Sequence, residues 1–256
     1  MSDRALQDLV LRALADAPFR ATPAWRQREL ADPSRLERFA RFLARHFFYE
    51  RIVHFFKYSR ALARVTGRAP EAVLRTTAFE TLLPAIVLGS RDSAAAVAAV
   101  VAAHVTSGRR DGIPYLPDLL RYEEAMMVAE AGPRVWRETG KGERGMGKGT
   151  SPELVEGTVL LDLSYDLPAV LPKLLQPWTE VPRCPEQPTK VLIARSQHGR
   201  VAVARADAAV AAVVELADGR TTLDDLAREA GLRPDELEAT LAGLTELGAV
   251  RFGTGS

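Results

Sequence analysis

A tract of glycines and prolines between residues 138 and 188 divides the chain into two parts. Residues 138–152, ETGKGERGMGKGTSP, contain five glycines and no large apolar side chain except Met146, which is typical of a flexible loop. Four prolines then favour a stiff, extended linker: Pro177, Pro182, Pro185 and Pro188. Between the two stretches we predict a short strand at 158–165 and a short helix at 167–175. A chain of 256 residues is long enough for two domains. The predicted segments are 1–138, 139–188 and 189–256.

The first segment combines helical periodicity with a dense cluster of aromatic residues. Apolar residues recur every three or four positions through 34–67, which predicts two helices that begin at Asp32 or Ser34 and end at Gly67. Eight aromatic residues lie between positions 39 and 58, and we expect these large rings to anchor the core of a helical domain. Further helices are predicted to start at Pro70, at Asp92 or Ser93, and at Pro117.

The last segment follows a different pattern. Residues 191–195 and 201–205 are predicted to form two strands, joined by a turn at Gln197, His198 and Gly199. Three helices follow, starting at Asp207, at Thr221 or Thr222, and at Pro234, and a closing strand is predicted at 249–252. This order is typical of a winged helix-turn-helix. The predicted fold is therefore mainly α: a helical N-terminal domain followed by a small α+β, winged-helix-like C-terminal domain.

Composition and charge place few limits on the partners of the chain. Apolar residues make up 47% and charged residues 26%, which is ordinary for a globular protein. The single cysteine, Cys184, fits a reducing compartment, and the charged N-terminus does not resemble a secretory signal. The apolar stretch 93–105 is too short to span a membrane and is predicted to be a buried helix. We therefore expect a cytoplasmic protein with no membrane partner. Residues 1–70 carry a balance of +7, which fits either an acidic partner or a solvated face of Arg-rich helices.

No combination of residues predicts catalysis or metal binding in this chain. The stretch 142–148, G-x-x-x-x-G-K, approaches the phosphate-loop pattern, but Gly149 stands where a hydroxyl should hold magnesium. The four histidines are not spaced as ligands on one helix face, and neither H-E-x-x-H nor G-x-S-x-G occurs. We therefore predict no catalytic residue and no cofactor. An unrecognised enzyme site around His46 and His54 is a further hypothesis, which tightly bound, stoichiometric metal would favour.

DNA binding is an alternative function, and it depends on the charge of the third helix in the last segment. A recognition helix normally directs Arg, Lys, Asn or Gln at phosphates and base edges. The helix predicted at 234–247 instead contains four acidic residues and no basic one, and its leucines are expected to pack inward. A winged-helix transcription regulator is therefore the alternative function, and nucleic acid is not the expected partner.

Residues 213–252 resemble the PqqD-like fold, a peptide-recognition element in the biosynthesis of ribosomally made, modified peptides. The resemblance rests on the Leu216-Ala-Asp-Gly219-x-x-Thr222 turn, the short helix after it, and the Leu-rich helix that ends at Gly248. It implies that a leader peptide adds to the sheet as a strand and lies against the third helix. The peptide-binding residues implied here are Val201, Val203, Arg205, Leu237 and Leu241. The family's sheet usually has three strands before the first helix, whereas two are clear in the last segment.

Residues 112–131 resemble a segment, Y-L-P-D-L-x-x-x-E, that occurs in partner subunits of multinuclear non-heme iron oxidases. The residues that carry the resemblance are Tyr115, Leu116, Pro117, Asp118, Leu119 and Glu124. It implies a non-catalytic partner that forms a heterodimer with the oxidase and presents a precursor peptide, with the iron held by the oxidase subunit. We expect the interface with the oxidase at Tyr115, Leu116, Asp118, Arg121 and Tyr122.

Overall fold

The computed structural model describes residues 3–28, 32–108, 112–132, 151–196 and 198–252. These residues form two compact units. One contains the described residues up to 131 together with 171–182, and the other contains the described residues of 132–170 and 183–252. The described residues of the predicted linker segment, 139–188, are therefore divided between the two units. The near-match to a phosphate loop at 142–149 lies outside the described residues, as does Gln197 of the predicted turn.

The first unit is built from helices. They are α1 (Asp3–Ala15), α2 (Ala17–Ala21), α3 (Pro23–Arg26), α4 (Pro33–Phe55), α5 (Lys57–Ala61), α6 (Ala63–Thr66), α7 (Thr77–Leu82), α8 (Arg91–Thr106) and α9 (Leu116–Glu130). Two 3₁₀ turns, Pro70–Arg75 and Leu83–Ala85, flank α7. Pro70 therefore starts a 3₁₀ turn rather than an α-helix, and Ser90, not Asp92 or Ser93, caps α8.

The ends of α4 and α6 follow from local chemistry. Asp32 accepts a hydrogen bond from the Arg35 N–H at 2.8 Å, and a proline occupies the first turn, so α4 begins where the sequence predicts. It continues for 23 residues, and the chain then bends at Phe56 into α5 and α6. Gly67 ends α6 as predicted, because its φ of 71° is a left-handed conformation that suits glycine.

The core of the helical unit contains only part of the aromatic cluster. Three of the four valines of α8 are fully buried, which confirms the predicted buried helix: Val97, Val101 and Val105. Three members of the aromatic cluster are also buried: Phe48, Phe55 and Phe56. Three others lie on the surface: Phe39, Phe42 and Tyr49. The predicted contribution of this segment to the core therefore comes from the buried rings and not from these three.

Residues 171–182 are held on the helical unit by side-chain contacts that a linker prediction cannot anticipate. The Arg64 guanidinium lies 3.5 Å from the centroid of the Trp178 ring and also donates a hydrogen bond to the Trp178 carbonyl. The Tyr115 hydroxyl donates to the Pro182 carbonyl at 2.9 Å. These contacts explain why this prolyl stretch packs with the helices.

The second unit combines two small sheets with helices. Its strands are β1 (Pro152–Leu154), β2 (Val159–Leu163), β3 (Thr189–Arg195), β4 (Val201–Ala206) and β5 (Val250–Phe252). Its helices are α11 (Ala208–Leu216), α12 (Leu223–Ala230) and α13 (Pro234–Leu247), preceded by α10 (Leu167–Leu174). Only the first four residues of α10 belong to this unit. The larger sheet is antiparallel in the order β2-β3-β4, and β1 pairs with β5. The predicted strands are confirmed, and β2 joins the predicted hairpin as a third strand before α11.

One face of β3 and the last three helices form a common core. Asp207 and Thr222 cap α11 and α12 as predicted, accepting hydrogen bonds from the N–H groups of Val210 and Asp225. Gly248 ends α13 with a φ of 82°, and a Cβ at this position would lie 2.3 Å from the Arg195 carbonyl oxygen. Only glycine therefore lets the end of α13 approach the end of β3 so closely.

The chain is thus mostly helical, with its sheets confined to the second unit. This confirms the predicted combination of a helical domain with a small α+β domain. Across the described ranges, none of the helices has the length and apolar character needed to cross a bilayer.

Candidate functional site

The hairpin of β3 and β4 presents a sheet edge that carries three of the predicted site residues. Its turn includes Gly199, whose φ is 75° and whose N–H donates to the Ser196 carbonyl at 2.8 Å. The Ser196 N–H in turn donates to the Arg200 carbonyl at 2.8 Å. The register places Ile193 opposite Val203. β4 is an edge strand, because no strand pairs with its other side in the part of the chain that the structure describes.

The register also decides which backbone groups face this open edge. The bond from Ser196 to Arg200 makes residues 196 and 200 a hydrogen-bonded pair. Hydrogen-bonded and non-hydrogen-bonded pairs alternate along an antiparallel ladder, so the even-numbered residues of β4 bond to β3. The odd-numbered residues direct their N–H and C=O groups away from β3. They are Val201, Val203 and Arg205.

The side chains of these three residues share the sheet face opposite the core formed with α11–α13. Val203 exposes 39% of its surface, which is unusual for a large apolar residue in a strand. Arg205 is restrained, because its guanidinium donates to Asp166 at 2.7 Å. A peptide added beside β4 would therefore meet two valines and an arginine whose charge is already paired.

The opposite edge of the same sheet is less suited to strand addition. By the same alternation, the backbone groups of β2 that point outward belong to Leu160 and Asp162. The Asp162 carboxylate lies 2.6 Å from Lys190 Nζ in an exposed ion pair. Charged side chains on an edge strand discourage the pairing of another strand. The β4 edge is therefore the better candidate for a docking site.

The two predicted site residues on α13 need correction. Leu237 and Leu241 are 4% and 1% exposed and lie in the core with Leu192 of β3. Their side chains fill the space beneath the sheet and have no free surface for a peptide. The predicted inward packing of the α13 leucines is thus confirmed. Because they are buried, Leu237 and Leu241 cannot contact a peptide directly in this structure.

The predicted oxidase interface at the start of α9 needs a larger correction. Four of its five residues are buried: Tyr115, Leu116, Asp118 and Tyr122. Arg121 alone of this set is exposed, and its guanidinium lies 3.4 Å from the Asp118 carboxylate. The recognisable sequence of this segment therefore consists mostly of buried residues, which have no free surface for a partner.

Glu123 is a buried acidic residue of the same helix. Its side chain is fully buried, and one oxygen accepts hydrogen bonds from the Tyr58 and Ser59 N–H groups at 2.8 and 3.1 Å. The Ser59 hydroxyl bonds to the other oxygen. Burial raises the pKa of Glu123 to about 8, although the hydrogen bonds from Ser59 and Tyr58 favour the charged form. This carboxyl group joins α9 to the start of α5.

The sequence contained a signal for Glu123 that was assigned to its neighbour. The pattern Y-L-P-D-L-x-x-x-E starting at Tyr115 places its acidic residue at Glu123, so the expected match at Glu124 is off by one position. Leu116, Leu119 and Glu123 also recur at helical spacing and share the buried face of α9. Glu124 is only partly buried.

The histidine pair considered as an enzyme site lies on the surface. His46 and His54 are both exposed residues of α4, and His46 Nε2 lies 3.3 Å from a Glu50 oxygen. Among the described residues, no three His, Cys, Asp or Glu side chains come together as a metal site. Comparison with protein-family models and with curated proteins finds no match to this chain.

Proposed function

We propose that this chain is a non-catalytic partner protein that binds an iron-dependent oxidase and presents a ribosomally made precursor peptide to it. In this proposal the oxidase holds the iron, and the leader part of the precursor adds as a strand to the outer edge of β4. The observation that carries the proposal is this edge, whose outward backbone groups belong to Val201, Val203 and Arg205.

The order of elements in the second unit supports the peptide-binding part. Three antiparallel strands, β2, β3 and β4, precede α11, α12 and α13, as in the PqqD-like recognition element that residues 213–252 resemble. The third strand, which was missing from the last segment of the sequence, is β2 at Val159–Leu163. The proposal includes a winged-helix-like fold for this unit.

The surface of α13 argues against the alternative of a DNA-binding regulator. Its exposed residues include Glu238 and Glu246, and it has no basic side chain to meet a phosphate. A mobility shift on duplex DNA that weakens steeply with salt would restore that alternative. Because the acidic face of α13 repels phosphates, we expect no such shift.

A backbone substitution tests peptide docking on β4. Val203→Pro removes an N–H that points away from β3, so the ladder within the hairpin is kept while the bond to an added strand is lost. Val203→Thr is the matched control, since it keeps the N–H and the β-branched shape. We expect Val203→Pro to weaken binding of the encoded leader peptide by about tenfold or more, and Val203→Thr to change it little.

The two variants are compared by fluorescence anisotropy with a labelled leader peptide, after circular dichroism shows that both are folded. Equal affinities for the proline and threonine variants would remove the β4 edge from the proposal. Oxidase binding is tested by co-expression with the proteins encoded beside this chain and by iron analysis of the purified complex. The proposal expects a stable complex whose iron follows the oxidase, and a chain recovered alone would contradict it.

A further inference from the structure

The helical unit has an exposed aromatic surface on α4 that its own fold does not use. One face of α4 packs into the core through five residues: Ala40, Ala44, Phe48, Ile52 and Phe55. The opposite face exposes 49% of Phe39, 59% of Phe42 and 44% of Tyr49. Contiguous apolar side chains on a surface indicate an interaction site more often than isolated ones do.

These side chains form a continuous row along the helix. The ring centroids of Phe39 and Phe42 are 6.4 Å apart, and those of Phe42 and His46 are 6.1 Å apart, both nearly parallel. The row continues to Glu50, which pairs with His46 at 3.3 Å. Because the members recur at three- and four-residue spacing, they lie on one face over three turns.

Two arginines extend the row toward the start of the helix. Arg35 and Arg38 are exposed and lie one turn before Phe39 and Phe42 respectively. No described carboxylate lies within ion-pair distance of either guanidinium, whereas the neighbouring Arg41 pairs with Glu37 at 3.1 Å. We call the set Arg35, Arg38, Phe39, Phe42, His46 and Tyr49 the α4 stripe.

We propose that the α4 stripe is the docking surface for the oxidase, and that the oxidase presents there an apolar segment bordered by carboxylates. This inference rests on the proposed function and supplies the surface that the buried start of α9 does not provide. Exposed rings supply apolar area to fill pockets in a partner, and the arginines select acidic groups by charge complementarity. The excess of basic residues in the first 70 positions supports a partner of opposite charge.

The test measures binding of purified full-length chain to the purified oxidase encoded beside it, by isothermal titration calorimetry at two salt concentrations. Phe42→Ser removes the most exposed ring, and Arg35→Glu with Arg38→Glu reverses the charge. Leu175→Ser and Arg75→Glu are the controls, since both residues are exposed in the same unit outside the stripe. All five substituted residues are on the surface, so the fold should tolerate the changes.

We expect Phe42→Ser and the double charge reversal each to weaken oxidase binding by about tenfold or more, with both controls within about twofold of the unchanged chain. The charge reversal should also reduce the salt dependence of binding. If the oxidase binds every variant equally well, the stripe is not the docking surface, although the proposed function stands. If the unchanged chain does not bind the oxidase, both fail.

Two other occupants of the stripe give distinct results. If the stripe joins two copies of this chain, the unchanged chain elutes as a dimer in size-exclusion chromatography and Phe42→Ser elutes as a monomer. If it binds nucleic acid, single-stranded DNA competes with the oxidase and Phe42→Ser abolishes DNA binding. Either result would overturn the assignment to an acidic protein segment.

Discussion

The start of α9 and the outer edge of β4 were both predicted to bind partners, but the first is buried in the structure and the second is exposed. At α9, Tyr115, Leu116 and Tyr122 are buried, and the neighbouring Glu123 ties the helix to α5. At β4, Val203 is exposed and the backbone faces outward. A recognisable stretch of sequence can therefore mark an interior that a fold requires, while a site can consist of backbone groups that leave little trace in sequence.

The comparison predicts that changes at α9 affect stability, whereas changes at β4 affect binding. The largest expected effect is from Glu123→Ala, which leaves the partly buried Tyr58 N–H and the buried Ser59 N–H without an acceptor. We expect it to lower the free energy of unfolding by about 3 kcal/mol, from the cost of unsatisfied buried donors and a small cavity. Chemical denaturation measures this. A loss below about 0.5 kcal/mol would show that Glu123 is not central to the interior.

A smaller effect comes from the protonation of the same residue. The pKa of Glu123 is raised to about 8 in the folded chain. Between the ordinary pKa of a glutamate and pH 8, the folded state therefore keeps a proton on Glu123 that the unfolded state has lost. The contribution of protonated Glu123 to the free energy of unfolding is therefore complete at low pH and is lost as pH rises toward 8. Relative to Glu123→Gln, which stays neutral, we expect the chain to lose about 1 kcal/mol of stability between pH 6 and pH 7. A constant difference between the two proteins across this range would contradict the raised pKa.

At β4 the same reasoning expects almost no change in stability. Val203→Thr alters an exposed side chain and keeps every backbone bond, so its free energy of unfolding should stay within about 0.5 kcal/mol. The contrast with Glu123→Ala sharpens the difference between the two regions. A large destabilisation by Val203→Thr would mean that this side of the sheet belongs to the core.

Local signals predicted most of the elements. The caps at Asp32, Asp207 and Thr222 and the helix ends at Gly67 and Gly248 are set by neighbours within a few residues, and each forms as predicted. The resemblance implied Val201, Val203 and Arg205 as peptide-binding residues, and the structure places their backbone groups on the open edge of β4. Their contact with a peptide stays a prediction.

The features that were missed depend on contacts between distant parts of the chain. β2 pairs with β3 across about 25 residues, and β1 pairs with β5 across nearly 100, so no local pattern determines either pairing. The burial of Tyr115 and Tyr122 depends in the same way on helices that pack from elsewhere. The exposure of Phe39 and Phe42 was missed because aromatic periodicity indicates a helix face without showing whether a neighbouring element covers it.

The most direct test of the central claim is amide hydrogen exchange of the second unit, measured by NMR with and without the leader peptide. The claim predicts that the outward N–H groups of Val201, Val203 and Arg205 exchange about tenfold or more slowly when the peptide is bound. The N–H groups of Leu160 and Asp162 on the β2 edge should keep their rates. Protection of the β2 amides with unchanged rates along β4 would contradict the account and move the peptide to the other edge of the sheet.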